Sequence, residues 1–260
     1  MCLLVFSYKQ HPAYDLIIAA NRDESYSRPT RAAQFWDDFP EVLAGKDLKA
    51  GGTWMGVTKE GAFSAITNFR DSRLQKENPP SRGHLVLDYL KHPVDSNTYL
   101  KEVDGKADQY LGFNLLAGTV NQLGYYSNQQ KKIRQLEPGL YGLSNHLLDT
   151  PWPKVVTAKK SLEKAVRNES ISEQALFELL ANERQASETD LPDTGIPKEL
   201  EKVVSPIFIK SGRYGTRCST ILLIDKNGKV VFEERRFKAG TLEIDEASRF
   251  EFEVDRDSSR

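Results

Sequence analysis

The chain has 260 residues, of which 39% are hydrophobic and 28% charged, and its formal net charge at pH 7 is −1. This near-neutral balance argues against a general nucleic-acid-binding protein, and no apolar run approaches the roughly 18–20 residues of a membrane-spanning helix. The two cysteines, Cys2 and Cys218, provide no disulfide framework, so we expect a cytoplasmic protein with free thiols.

Cys2 directly follows the initiator methionine. Loss of Met1 would place a nucleophilic thiol and a free α-amine on one residue. The amine has an ordinary pKa of about 7.7–8.0, so it can take the proton of the thiol near neutral pH. The alternative interpretation is that Cys2 is a small apolar residue that opens a strand over Cys2–Ser7.

Short apolar runs flanked by polar residues predict strands in the first third of the chain. Leu3–Phe6 and Leu16–Ala20 are joined by a polar stretch with a proline, which is typical of a hairpin connection. A second strand pair is predicted for Thr53–Val57 and Gly61–Thr67, with a turn between them.

Four polar residues, Asn21-Arg22-Asp23-Glu24, follow the second strand, and we expect them to end it. If that strand pairs with the first, the cluster lies near the end that carries Cys2. Arg22 would then favour the thiolate, because a nearby cation lowers a thiol pKa. A carboxylate would hold the α-amine by a charge-assisted hydrogen bond. A capped turn with a local ion pair is the alternative.

The long polar segment Asn68–Arg82 is either a binding loop or lid, as many long loops are, or a solvated connector.

Apolar residues at helical spacing then predict four helices. One contains Leu85–Leu90, one begins near Ser96, one runs from Pro153 to Val166, and one begins at the N-cap Ser172. Further strands are predicted at Gly112–Gly118, Leu123–Ser127, Gly139–Leu143 and Phe250–Val254, with a hairpin of Thr216–Asp225 and Lys229–Arg236. This order favours one α+β domain over residues 1–260, with antiparallel sheets covered by helices. We expect the polar tail Asp255–Arg260 to be frayed.

Polar residues recur where later strands end. Asn68 follows Gly61–Thr67, and Asn145 follows another short apolar run. An asparagine at such a point can donate to an oxyanion, although asparagine is also common in turns. Arg217 lies beside an otherwise apolar strand, where a charged side chain needs a partner or a cleft.

Ordered blocks of residues over nearly the whole chain resemble the family named for its Asn-Arg-Asp-Glu motif, the Transport and Golgi organisation protein 2 (NRDE) family. The blocks are Met1-Cys2, Ala19-Ala20-Asn21-Arg22-Asp23-Glu24, Tyr26-Ser27-Arg28-Pro29, Gly51-Gly52-Thr53-Trp54-Met55-Gly56, Thr67-Asn68, Gly112-Phe113-Asn114-Leu115, Tyr141-Gly142-Leu143-Ser144-Asn145, Thr150-Pro151-Trp152 and Tyr214-Gly215-Thr216-Arg217. Their number and order predict membership of that family.

The NRDE family is in turn similar to the N-terminal-nucleophile (Ntn) hydrolases, particularly the cysteine members that cleave bile-acid amides and penicillin V. This resemblance implies a four-layer αββα sandwich with the catalytic Cys2 at the start of a central strand. It implies that Asn68 and Asn145 bind the oxyanion and orient the amine. It also implies that Arg217 is a late active-site arginine.

The motif departs from the Arg-Asn-x-Asp order of the bile-acid enzymes. Aligning Asn-x-Asp makes Asp23 the carboxylate that holds the amine but puts Ala20 where those enzymes have arginine. Aligning the arginines makes Arg22 the partner of the thiol and leaves the carboxylate unassigned. Because neighbouring residues on a strand point to opposite faces, both side chains reach one site only if the chain turns there.

The leading hypothesis is an Ntn-type hydrolase or acyltransferase that acts on a carbon–nitrogen amide bond of a small-molecule substrate through Cys2. The alternative is a non-catalytic carrier of haem or acyl-CoA, in which the cations of Asn68–Arg82 meet an anionic group. Haem needs axial ligands, for which Cys2, His84 and His146 are the candidates. An interaction protein without catalysis is a third possibility. The histidines show no metal-ligand spacing, so we expect neither a metal nor a resident cofactor.

Overall fold

Two antiparallel sheets face each other through a shared layer of apolar side chains. The structure is a computed structural model that describes residues 2–168 and 170–254. Its strands are β1 (Cys2–Tyr8), β2 (Tyr14–Ser25), β3 (Thr30–Phe35), β4 (Val42–Asp47), β5 (Met55–Thr58), β6 (Phe63–Asn68), β7 (Phe113–Gly118), β8 (Leu123–Ser127), β9 (Lys132–Gln135), β10 (Gly139–Leu143), β11 (Tyr214–Asp225), β12 (Lys229–Phe237) and β13 (Ile244–Glu253). Its α-helices are α1 (Gly83–Lys91), α2 (Ser96–Lys106), α3 (Pro153–Val166), α4 (Glu173–Leu180) and α5 (Lys198–Val203).

Each sheet has antiparallel neighbours throughout. The first has the strand order β10-β1-β2-β11-β12-β13, and the second has the order β3-β4-β5-β6-β7-β8-β9. Side chains of both sheets, such as Leu4 and Tyr125, form the central core between them. Helices α3 and α4 cover the outer face of the first sheet, whereas α1 and α2 cover that of the second. This arrangement confirms the predicted α+β, four-layer αββα sandwich.

The alternation of side chains along β1 explains why its sequence is apolar from end to end. Cys2 and Leu4 face the central core, whereas Leu3 and Val5 face the helical layer. Since both faces are covered, all seven residues of the strand are buried. A strand with two buried faces reads as a continuous apolar run rather than as an alternating one.

The polar motif does not end the second strand, which corrects our expectation. Strand β2 continues through Asn21–Glu24 to Ser25. Asn21 is fully buried. Its burial is tolerated because its amide nitrogen donates to the carbonyl oxygens of Leu180 and Ile207, each at 2.9 Å. The motif therefore remains β-strand, and its side chains alternate between the helical layer and the space between the sheets.

Other elements match the expectations in part. The β11–β12 hairpin and the N-cap of α4, where the Ser172 hydroxyl accepts a hydrogen bond from the Ala175 N–H at 3.2 Å, were predicted. The half-exposed strands β3 and β9 and the short helix α5 were not. No helix among the described residues is long and apolar enough to cross a bilayer. The expectation for Asp255–Arg260 lies outside the described residues.

Candidate active site

Cys2 lies where the central core gives way to a cavity. It is the first residue of β1 and is 8% exposed. The antiparallel register places it opposite Arg22 on β2, and Arg22 lies opposite Cys218 on β11. Three neighbouring strands thus bring thiol, guanidinium and thiol to one face of the sheet, with the cation between the two sulfurs.

The cavity has a volume of about 470 Å³ and opens between the two sheets. Its walls include Cys2, Arg22, Asp23, Asn68 and Arg217, which are five of the six residues that the sequence marked as catalytic candidates. The remaining walls come from the segments 45–54 and 79–83 and from Glu24, Arg28, Thr30, Arg31, Ile66, Leu111, Cys218, Glu234 and Arg236. The sixth candidate, Asn145, does not line this cavity.

Burial controls the chemistry of the Cys2 thiol. Removal from solvent raises its pKa, while the charge of Arg22 and the backbone N–H of Asp23 act in the opposite direction. Burial outweighs the opposing interactions, so the thiol keeps its proton near neutral pH. A nucleophilic role therefore requires a base beside the sulfur.

The Asp23 side chain lies on the face of β2 opposite to that of Arg22. Its side chain is 1% exposed and accepts a hydrogen bond from the Thr216 hydroxyl at 2.7 Å, while the Tyr214 hydroxyl donates to its backbone oxygen at 2.8 Å. Burial raises the pKa of the Asp23 carboxyl, and the charge of Lys154 opposes that rise. Burial also lowers the pKa of Lys154 to about 8. The chain does not turn between Arg22 and Asp23, yet both residues line the cavity.

The two asparagines occupy different positions. Asn68 ends β6 and contributes to the cavity wall. Asn145 is fully buried, and its amide nitrogen donates to the backbone oxygen of Asn68 at 2.9 Å. The neighbouring Ser144 hydroxyl lies 3.1 Å from the backbone oxygen of Cys2 and 3.3 Å from the amide oxygen of Asn145. Asn145 thus positions the backbone around the site and is not among the residues that line the cavity.

Arg217 lines the cavity, but its guanidinium is engaged with the backbone. It lies at the register irregularity of β11 between Thr216 and Cys218. Its Nη1 atom donates to the backbone oxygens of Ser25 at 2.8 Å and of Arg28 at 3.0 Å. These contacts hold the β2–β3 turn. The partners of the Arg217 charge are therefore largely backbone carbonyl groups.

Arg82 and Glu234 are among the cavity residues that the sequence does not identify as candidates. Arg82 was noted only as one cation of a polar loop, and its Nη1 atom donates to the backbone oxygen of Gly112 at 2.9 Å. Glu234 was not singled out, although it is 4% exposed and accepts a hydrogen bond from the Ala33 N–H of the facing sheet at 2.9 Å. Glu234 lies in the charged run Glu233-Glu234-Arg235-Arg236 of β12, so the local sequence carries no signal that this carboxyl is buried.

The residues that suggested a haem or acyl-CoA carrier, namely the candidate haem ligands and the cations of the loop Asn68–Arg82, do not all lie at the cavity. Of the candidate haem ligands, Cys2 lines the cavity, whereas His84 and His146 do not. Of the loop cations, Arg82 lines it, while the others have partners outside it: Arg70 with Glu201, Arg73 with Asp71, and Lys76 with the Asp108 backbone oxygen. Within residues 2–168 and 170–254, no three metal-binding side chains come together.

The sequence profile of the family described as Transport and Golgi organisation 2 matches residues 1–239. The chain belongs to this family. A Bos taurus Transport and Golgi organization protein 2 homolog is 40% identical over 256 residues, covering 90% of this chain and 92% of the relative. The Homo sapiens homolog is 37% identical over 273 residues, covering 97% of this chain and 99% of the relative. Family membership confirms the resemblance found in the sequence motifs.

Solved structures place the family member in a wider fold group. Two variants of the conjugated bile acid hydrolase from Clostridium perfringens superpose with TM-scores of 0.53 and 0.54 at 10% and 9% identity. The matches cover 98% and 97% of this chain, and 98% of each hydrolase. At such low identity the likeness shows the fold alone, and that fold is the Ntn-hydrolase sandwich.

Proposed function

We propose that the protein is an Ntn-type amidase or acyltransferase whose nucleophile is Cys2 after removal of Met1. What carries the proposal is the position of Cys2 at the start of β1, facing the cavity and directly opposite Arg22. The fold, shared with a bile acid hydrolase, supports it by analogy. Two free, buried cysteines support the reducing, cytoplasmic setting that we propose with it.

In this mechanism the α-amine of Cys2 takes the thiol proton, and the sulfur attacks the carbonyl carbon of the amide. The oxyanion that forms is stabilised by donors in the wall, for which Asn68 is our candidate. The carbon–nitrogen bond then breaks, and the leaving amine receives the proton from the α-ammonium. Water or an acceptor amine attacks the resulting thioester and releases Cys2 as thiol.

The remaining residues are proposed to position these groups. Arg22 counteracts the burial that raises the Cys2 pKa, and Asp23 holds the α-amine. Asn145 orients the end of β6 through its bond to the Asn68 carbonyl. Arg217 fixes the β2–β3 turn and so the wall that carries Arg28. The assignments of Asn145 and Arg217 follow from their hydrogen bonds, that of Arg22 follows from its position opposite Cys2, and that of Asp23 follows from the resemblance of the motif to the bile-acid enzymes.

The test is acylation by p-nitrophenyl acetate, read by mass spectrometry with an intact-mass measurement of the first residue. We expect an acetyl adduct on Cys2 that hydroxylamine removes, as it removes a thioester. Cys2→Ala should lose the adduct with its fold intact, whereas Cys218→Ala should keep it. Equal labelling of wild type and Cys2→Ala would show that the nucleophile is assigned wrongly, and a retained Met1 would acylate the proposed base.

A carrier of haem or acyl-CoA on the same scaffold is the second candidate. The cavity beside Cys2 supports it, because a binding protein needs the same enclosed volume. Saturable binding of haem or acyl-CoA that survives in Cys2→Ala, without any acyl adduct in the wild type, would favour this function over the first.

A further inference from the structure

We infer that the substrate carries a small oxyanion, a carboxylate or a phosphate, that binds between the guanidinium groups of Arg22 and Arg82 beside Cys2. The inference rests on the proposed function, since it names the class of substrate that reaches the nucleophile. It adds a binding site to that function, and the site can be tested without knowing the substrate.

Charge is the first observation. The cavity wall contains eight basic side chains and four carboxylates. Half of these bases are already engaged: Arg28 with Asp47, Lys46 with Asp38, Arg217 with the β2–β3 turn, and Arg236 with Glu246. The positive charge that remains available to a ligand near Cys2 therefore lies on a few basic side chains, and two of them are Arg22 and Arg82.

Arg22 is the first of these groups. Its side chain is 11% exposed, and the one carboxylate within 4.0 Å of it among the described residues, that of Glu24, lies at 4.0 Å, beyond hydrogen-bond distance. Among the residues that the structure describes, the Arg22 guanidinium has no hydrogen bond. A guanidinium carries five N–H donors, and those of Arg22 are available to a group in the cavity that it lines. An anionic ligand group would satisfy these donors directly opposite Cys2.

Arg82 is the second. Its bond to the Gly112 carbonyl is the one hydrogen bond of its side chain within the described ranges. Burial lowers the pKa of Arg82, while the charges of Cys2 and Glu24 favour its cationic form. Arg22 of β2 and Arg82, at the start of α1, thus line the same cavity as Cys2, each with N–H donors that no described residue accepts from. Two such forks suit a planar carboxylate or a phosphate.

The N-terminal end of the helix that follows Arg82 adds to the positive electrostatic potential in the cavity. Helix α1 begins at Gly83, which also lines the cavity, and has neither an acidic residue in its first turn nor a side-chain cap. The N-terminal end of a helix carries partial positive charge and free N–H groups. This end supports the two arginines and does not define the site by itself.

The carboxylates of the wall leave room for the ligand. Glu24 uses one oxygen to accept a hydrogen bond from the Ser25 N–H at 2.8 Å. Glu234 is bound to the Ala33 N–H, and Asp47 to Arg28. Because Arg22 lies directly opposite Cys2 in the strand register and Arg82 lines the same cavity, we expect the oxyanion to lie near the carbonyl that Cys2 attacks.

The test compares iodoacetate with iodoacetamide, which are alike in shape and differ in charge. Alkylation of Cys2 is followed by peptide mapping, which separates it from Cys218, and the ratio of the two rate constants is divided by the ratio for free cysteine. We expect iodoacetate to be favoured at Cys2 by about tenfold, the effect of a charge-assisted hydrogen bond. Arg22→Gln and Arg82→Gln should each remove most of this preference. The exposed Arg134→Gln should leave it unchanged.

A second measurement needs no variant. Acetate and inorganic phosphate, at constant ionic strength, should each slow the iodoacetamide reaction of Cys2 saturably, while acetamide should not. The anion that protects at the lower concentration identifies the preferred oxyanion. Failure of both anions to protect would overturn the site even if the arginine variants failed to fold.

The outcomes separate the two proposals. If both reagents alkylate Cys2 in the ratio seen for free cysteine, the anion site is wrong and the nucleophile stands. If the preference survives in both arginine variants, Arg22 and Arg82 are the wrong residues. If neither reagent reaches Cys2, the cavity does not serve this thiol, and the proposed function fails together with the inference.

Discussion

Two buried carboxyl groups on opposite faces of the first sheet illustrate how burial sets ionisation in this protein. Asp23 faces the helical layer, and Glu234 faces the second sheet, where it holds the Ala33 N–H at an irregular point of the β3–β4 register. Burial raises the pKa of both side chains. A carboxyl whose pKa is raised by folding binds its proton more tightly in the folded state, so its contribution to stability declines as pH rises.

Glu234→Gln provides a test of this effect. The ordinary glutamate pKa is about 4.3, so the unfolded chain releases the Glu234 proton near that pH while the folded chain retains it to higher pH. Glutamine can still accept from the Ala33 N–H and does not titrate. We therefore expect the free energy of unfolding of Glu234→Gln, relative to wild type, to increase as pH rises above about 4 in urea titrations. The exposed Glu60→Gln should show no such trend, and a flat difference for Glu234→Gln would contradict the burial effect.

At the scale of elements, the sequence predicted the strands that read as continuous apolar runs and missed β3, β4 and β9. β1 and residues 221–224 of β11 are apolar because core and helices cover them, whereas the three missed strands mix polar with apolar residues without a clear alternation. The motif residues were located correctly at the site because they follow β1 in a hairpin. The sequence did not locate Arg82 at the site, because the position of Arg82 depends on the path of a long loop, which local sequence does not determine.

The close approach of the β4–β5 loop to helix α1 is a second element-scale feature, and Gly52 makes it possible. A Cβ on Gly52 would lie 2.6 Å from the backbone carbon of Gly83. We expect Gly52→Ala to destabilise the protein by about 1–3 kcal/mol and to shift the start of α1, which reduces the iodoacetate preference of Cys2. Gly105→Ala in α2, where a Cβ meets nothing within 4 Å, should instead be neutral or stabilise by up to about 1 kcal/mol. Equal unfolding midpoints for the two variants would contradict this packing argument.

At the scale of the molecule, long-range contacts tie the loops around the site to each other. The Ser72 N–H donates to the Thr194 backbone oxygen at 3.0 Å, and Arg70 pairs with the buried Glu201 of α5 at 2.7 Å. Glu201 also accepts from the Thr194 N–H at 3.1 Å. The segment after β6 is therefore joined to the segment before β11. This connectivity favours our proposal that residues 1–260 fold as one domain.

Unfolding followed at the two outer layers tests that proposal. Trp36 is buried between the second sheet and its helices, and Trp152 is buried in the opposite helical layer. In two proteins that each retain one of these tryptophans, we expect urea transitions with the same midpoint, because both layers depend on the central core. Leu4→Ala, which opens a cavity in that core, should lower the free energy of unfolding by about 2–5 kcal/mol at both reporters, whereas Leu200→Ala, 51% exposed, should change it by less than about 0.5 kcal/mol. A Leu4→Ala effect seen by Trp152 and not by Trp36 would mean that the two sheets unfold independently, since the lost contacts would then matter to one sheet alone.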